Sequence, residues 1–196
     1  MNNLEEKKLK ERYGINSKLF LTIENIDDGD ELNFQNGVLD HVELYDGEYK
    51  SSHIQSCSLM SSNLLSTDMS ESKLDQVFIE NSRLSGTNLG NSILVDVTFK
   101  KCKINGVSFR SAELKRVLFY ECDLIDADFQ SSNLEKIVFR SCELSQADFS
   151  NSRFKEVDIR GSRLNSAKFG LEQLKNLTID QGQATYIALL TGVKIV

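Results

Sequence analysis

The sequence predicts an all-β solenoid whose chain winds into a square coil, and three observations carry that reading. From Val97 to Ile159 every fifth residue is apolar, running Phe99, Ile104, Phe109, Leu114, Phe119, Leu124, Phe129, Leu134, Phe139, Leu144, Phe149, Phe154 and Ile159. Two residues before each stands a small or β-branched residue, such as Val97, Cys102, Val107, Ala112 and Val117. A second period of 20 lies on top of the five: Phe99, Phe119 and Phe139 form one column, Phe109, Phe129, Phe149 and Phe169 another, with aliphatic columns such as Leu84, Ile104, Leu124, Leu144 and Leu164 between them. Neither a helix nor a strand explains a step of five, because it rotates a side chain by about 140° around a helix and flips it across a strand. The chain must turn once per unit, and four units close one coil. Coils stacked at the strand spacing of roughly 4.8 Å give about seven layers and a rod on the order of 35 Å long.

Residues 1–33 lack the repeat. Leu4 to Tyr13 reads as a short amphipathic helix and Lys18–Ile23 as a β-like apolar segment, followed by the acidic turn Asp27–Asp30. An open first coil would template aggregation, so this segment is expected to be the N-terminal cap. The repeat occupies residues 34–169, beginning at Phe34 and continuing in phase through Leu39, Leu44, Tyr49 and Ile54. Its phase persists at Leu164, Phe169, Leu174 and Ile179, but Glu172 falls where a small inward residue belongs, and burying that charge would cost several kcal/mol. Residues 170–196 are therefore read as a C-terminal helical cap starting at Leu171, Leu174 and Leu177. Asp180-x-x-Gln183 is a capping pair opening a helix to about Leu190, Gly192 is its stop, and Val193–Val196 reads as a short strand. Ala184, Ile187, Leu190 and Val193 lie on one broad face of that tail.

The units Ala127-Asp128-Phe129, Ala147-Asp148-Phe149 and Ser132-Asn133-Leu134 resemble the A(D/N)LXX consensus of the pentapeptide repeat family, and the resemblance covers residues 34–180 or so. It implies a right-handed quadrilateral β-helix with hydrogen bonds running from coil to coil. The complete absence of proline agrees, since nearly every backbone N–H is then needed as a donor. The tail resembles the C-terminal segment of the quinolone-resistance members, in which it forms the homodimer interface. That resemblance implies a homodimer here, through Ala184, Ile187, Leu190 and Val193.

No catalytic constellation is present: there is no phosphate loop, HExxH or Ser/His/Asp arrangement, and a filled rod offers no cleft that would perturb paired carboxylates. The protein is read as a non-enzyme without cofactor or metal. Cys102, Cys122 and Cys142 share an inward column with Ser82 and Ser162, a ladder of small buried residues without metal-ligand spacing. His41 and His53 fall at outward positions without a partnering ligand. The charged N-terminus lacks the apolar run of a signal peptide and no stretch of 18 apolar residues occurs, so the expectation is a cytoplasmic protein that makes no membrane contact. A net charge of −6 and a pI near 5.1 speak against direct nucleic-acid binding. That charge is uneven: residues 24–96 hold 14 acids against Lys50, Lys73 and Arg83, whereas residues 97–196 hold 15 bases and 12 acids.

The quinolone-resistance relatives are thought to imitate DNA and enter the DNA groove of type II topoisomerases. By that resemblance the partner is DNA gyrase or topoisomerase IV, and Asp123, Asp126, Asp128 and Asp148 are the candidate contacts. The outward apolar column Phe78, Leu118 and Val138 beside Tyr120 is a second candidate partner surface. The alternative is a cytoplasmic structural or protein-interaction module with a different partner. Against uniform mimicry stand the bases Lys100, Lys101, Lys115, Arg116, Lys136, Arg140 and Arg160.

Overall fold

A computed structural model of the chain describes residues 29, 31–44 and 46–194. The expected helix and β-like segment within residues 1–28 lie outside the described residues. The repeat region forms a parallel β-solenoid of about seven coils. Each coil has four sides, which we call faces I to IV. Strands Asn33–Gln35, His53–Gln55, Lys73–Asp75, Ile93–Val95 and Glu113–Lys115, then the first part of Asn133–Arg140, build face I. Val38–Asp40, Ser58–Met60, Phe78–Glu80, Thr98–Lys100 and Leu118–Tyr120, then the second part of Asn133–Arg140, build face II. Faces III and IV carry only single parallel bridges, such as Lys103 to Asp123 and Asp128 to Asp148. Register is 20 throughout: Leu118 pairs with Val138 and Phe119 with Phe139.

The five-residue unit has a local cause. Its central apolar residue and the small residue two before it point into the bore, and the residue two after it turns the corner. Corner residues adopt positive φ, 24 of them non-glycine among the described residues, including Lys101, Arg116, Asp126 and Lys136. A left-handed conformation costs a side-chain-bearing residue about 1 kcal/mol or more, so the stacked coil, and not the intrinsic preference of these residues, imposes it. The Asp or Asn before the central residue has its own task. Asp128 Oδ1 accepts the N–H of Gln130 at 2.8 Å, Asp148 that of Ser150 at 2.9 Å and Asn88 that of Gly90 at 2.9 Å. A short acceptor at that position satisfies a corner amide the coil leaves unpaired.

The bore is filled by columns. Phe99, Phe119 and Phe139 on face II stack at 4.9 Å between ring centroids, as do Phe109, Phe129, Phe149 and Phe169 on face IV at 4.8–4.9 Å. Across the bore the two stacks meet edge to face at 5.7–6.3 Å. Cys57, Cys102, Cys122 and Cys142 are free and buried, and the Cys122 thiol, between Cys102 and Cys142, is pushed up by those neighbours and by burial. Cys142 donates to the carbonyl of Phe119 at 3.3 Å, and one coil on, Ser162 donates to that of Phe139 at 3.2 Å, so thiol and hydroxyl fill the same place.

The end of the rod is closed by side chains in place of a next coil. Helix α1, Leu171–Leu174, turns Glu172 outward to pair with Lys175 at 2.7 Å, and its buried Gln173 donates to the Ser152 carbonyl. Leu177–Thr178 then pairs with Val157–Asp158 in the old register. Helix α2, Gln181–Leu190, opens on the expected capping box, with Gln183 N–H on Asp180 at 3.1 Å and Asp180 N–H on Gln183 at 3.0 Å. Gln183 Nε2 donates to the carbonyls of Ile159 and Ser162, both at 2.7 Å, and the Tyr186 hydroxyl to that of Ala167 at 2.8 Å. Gly192 has a φ of +81° after the helix, as a stop requires. Val193 and Lys194 are not in a strand, contrary to the expectation for Val193–Val196; residues 195–196 lie outside the described residues.

Candidate functional site

The four candidate acids occupy two adjacent sides of the rod: Asp123 on face III, Asp126 at the corner, Asp128 and Asp148 on face IV. Leu118, Tyr120 and Val138 sit on face II, directly behind face IV, and are half-buried. Acidic and apolar candidates therefore form two opposite surfaces and do not converge. Phe78 belongs to neither as an open contact: it is 5% exposed and buried in a small cluster with Met60, against which Val38 packs. Its outward phase is as expected, but a flexible methionine one coil away packs with it, which spacing alone does not reveal.

Glu121 and Glu143 join the acids, so that coils 121–131 and 141–151 carry Glu121, Asp123, Asp126, Asp128, Glu143 and Asp148 on faces III and IV. Asp148 is 14% exposed at its side chain. Burial alone would raise its pKa, yet hydrogen bonds from Ser150, Lys168 and Gln130 outweigh it and hold the carboxyl at about 2. Asp128 is tied to Arg110 at 2.7 Å. Beneath this acidic band lies a basic one, Arg83, Lys101, Lys103 and Arg110, set among Gly86, Gly90, Gly106 and Ser108.

The 20-residue register also brings opposite charges together, as in Glu80–Lys100 at 2.6 Å, Asp96–Arg116 at 2.6 Å and Asp148–Lys168 at 3.2 Å. Pairs 18 apart, Arg110–Asp128 and Arg140–Asp158 at 3.2 Å, were not legible in the spacing, because a long guanidinium reaches diagonally across the coil step.

The tail residues also divide. Ile187 is half-buried and packs on the core, closing the last coil, whereas Ala184 is exposed and Leu190 and Val193 are 36% and 53% exposed. Leu171 and Leu189, at 63% and 53%, join them on the outside. Among the described residues no group of three or more His, Cys, Asp or Glu is placed to hold a metal ion, and no helix is long and apolar enough to cross a membrane.

A family model described as a pentapeptide repeat region matches residues 32–109 and 112–189. No curated protein sequence matches the chain. Among solved structures, a trypsin-treated form of QnrB1, described as a plasmid-mediated fluoroquinolone resistance protein, is 15% identical over 85% of this chain and 98% of its own, with a TM-score of 0.56. HetL, described as a pentapeptide repeat protein involved in heterocyst differentiation regulation from the cyanobacterium Nostoc sp. strain PCC 7120, is 15% identical over 76% of this chain and 89% of its own, with a TM-score of 0.32.

Proposed function

The chain belongs to the pentapeptide repeat family, and from that premise we propose that it acts without catalysis, as a rigid rod presenting its acidic band to the DNA-binding groove of a type II topoisomerase such as DNA gyrase. The observation that carries this is the band itself: six carboxylates on two adjacent faces within two neighbouring coils, Glu121, Asp123, Asp126, Asp128, Glu143 and Asp148. A carboxyl held at about 2, as at Asp148, is charged at every physiological pH, as a phosphate is. The backbone stacking holds these charges at fixed separations of roughly 4.8 Å along the rod. Likeness to QnrB1 supports the fold on which the reading rests, and the description of that protein motivates the choice of partner. In this reading the protein works in the cytoplasm, and the exposed apolar end formed by Leu171, Leu189, Leu190 and Val193 joins two copies.

The test is a gyrase supercoiling assay with and without a fluoroquinolone. The protein is expected to restore supercoiling under the drug, or to inhibit it alone, and Asp126→Lys with Asp128→Lys to abolish either effect. No effect of the unaltered chain on gyrase or topoisomerase IV would sink the proposal. A second reading, an interaction module for another protein, is favoured by the basic band Arg83, Lys101, Lys103 and Arg110, which interrupts the acidic surface. Affinity capture that returns a reproducible non-topoisomerase partner, lost on Lys103→Glu, would select it.

A further inference from the structure

Face III carries a column of charges whose order along the rod is unusual. In register from coil to coil stand Asn63, Arg83, Lys103, Asp123, Glu143 and Arg163. Two cations are followed by two anions, so the column contains two like-charge steps, Arg83 on Lys103 and Asp123 on Glu143. Like charges directly opposite in a ladder are destabilising. Glu143 pairs with Arg163 at 3.5 Å and Lys101 with Glu121 at 3.9 Å, yet among the described residues neither Arg83 nor Lys103 lies within ion-pair distance of a carboxylate, and Asp123 makes no ion pair either. The anionic half borders a recess on the same face, lined by Glu121, Asp123, Ser141, Glu143, Gly161 and Arg163. Gly161 leaves the corner of that recess open.

We propose that face III is an isologous contact with a second copy of this chain, the two rods lying antiparallel about a two-fold axis that passes between Lys103 and Asp123. Such an axis reverses direction along the rod and keeps the position across the face, so each column meets itself upside down. Lys103 then faces the partner copy's aspartate 123 position, and Arg83 its glutamate 143 position, with the same two contacts repeated by symmetry. The adjoining corner obeys the same order, since Lys101 meets the level of Glu121. Both like-charge steps of this column become opposite-charge contacts in the dimer, and the recess receives the cationic heads. A parallel arrangement would instead set like against like at every level. The contact is separate from the apolar end of the rod. It also covers Asp123 and Glu143, so the dimer withholds part of the acidic band from any other partner.

The experiment measures mass by sedimentation equilibrium over a concentration series, in a Leu189→Asp/Leu190→Asp background so that the apolar end contributes nothing. A dimer is expected, weakening steeply as salt rises from about 0.05 M to about 0.5 M, where screening shortens to a few ångströms. Arg83→Gln with Lys103→Gln should weaken it about tenfold or more. Arg83→Glu/Lys103→Glu makes the four central positions of the column anionic and Asp123→Lys/Glu143→Lys makes them cationic; each is expected to be monomeric alone. Mixed in equal amounts, the two should form a heterodimer tighter than the parent. A monomeric parent at low salt would overturn the proposal. So would a dimer unaffected by the glutamine pair, or a mixture that stays monomeric while both variants keep the parent's circular dichroism. The readout is mass, so the result stands apart from any outcome with gyrase.

Discussion

The two halves of the rod fill one bore with different materials. In the first coils most inward small positions are hydroxylic, with Ser52, Ser62, Thr67, Ser72, Ser82, Thr87 and Ser92 all at most 2% exposed, around aliphatic centres such as Ile54, Leu64 and Leu74. Each hydroxyl is an obligation. Ser52 Oγ accepts the Leu32 N–H at 2.8 Å, Ser72 that of Ser52 at 3.0 Å and Ser92 that of Ser72 at 3.0 Å, a continuous chain of side chain to backbone contacts. From Phe99 onward the same positions hold mostly Val, Ala and Cys, and the centres hold two phenylalanine stacks. The backbone register is identical in both. The coil therefore does not need one kind of interior, only a close-packed one with its inward hydroxyls paired. Stability should differ accordingly, because stacked rings bury more apolar surface and add about 0.5–1.5 kcal/mol per ring pair.

The largest expected effect comes from emptying the aromatic half. Phe129→Ala removes a ring stacked at 4.9 and 4.8 Å on two others and should cost about 3–5 kcal/mol in denaturant unfolding. It should also erase the difference between halves in native-state hydrogen exchange, where amides of residues 32–95 are expected to exchange first in the parent protein. Equal exchange in the two halves of the parent would remove the comparison altogether. Ser72→Ala acts on the other half. It leaves the buried Ser52 N–H without its acceptor and should cost about 1–3 kcal/mol, widening the gap in exchange.

Asp148→Asn tests whether the outer hydrogen bonds of the aromatic half matter. The carboxyl sits at about 2 against its ordinary 3.8, so the folded state favours the ionised form. Its contribution is complete above about pH 4 and is lost as pH falls through about 2. The substituted amide would still accept the Ser150 N–H, so the thermal-melting gap between parent and variant should hold near neutrality and close over that interval. A gap independent of pH would assign the effect to geometry instead of charge. Smallest of all, Arg116→Met removes the exposed bidentate pair with Asp96, and a thermal midpoint close to the parent's is expected.

The interior was almost wholly legible in the sequence, because one volume constraint acts on every fifth residue and the 20-residue register repeats it from coil to coil. Asp180 and Gln183 were legible for a similar reason: a capping box needs two residue types at one spacing. The outside obeys no such rule. Phe78 was placed on the correct wall, yet its burial with Met60 depends on where a flexible side chain lies down. Ile187 shared a helix face with Ala184 by spacing, but the last open coil draws it inward while Ala184 stays in water. Of the candidate surfaces, the side of the rod on which each acid sits follows from phase, whereas the clustering of Glu121 and Glu143 with them, and the reversal of sign at Lys103–Asp123, emerge only when the coil is closed.

One consequence of the fixed register concerns how such a chain tolerates length changes. Removing or adding a whole coil of 20 residues shifts everything beyond it by roughly 4.8 Å and leaves each face pointing as before. Removing five residues keeps the inward phase intact yet turns every later face by a quarter. Asp128 and Asp148 would then leave the side of the rod they share with Asp68 and Asn88, and the later phenylalanines, though still inward, would stand above aliphatic columns. The inward apolar phase thus survives changes in fives, while the ring columns and the outer surface keep their arrangement only in twenties. Selection for a binding surface would show itself as the longer unit of growth.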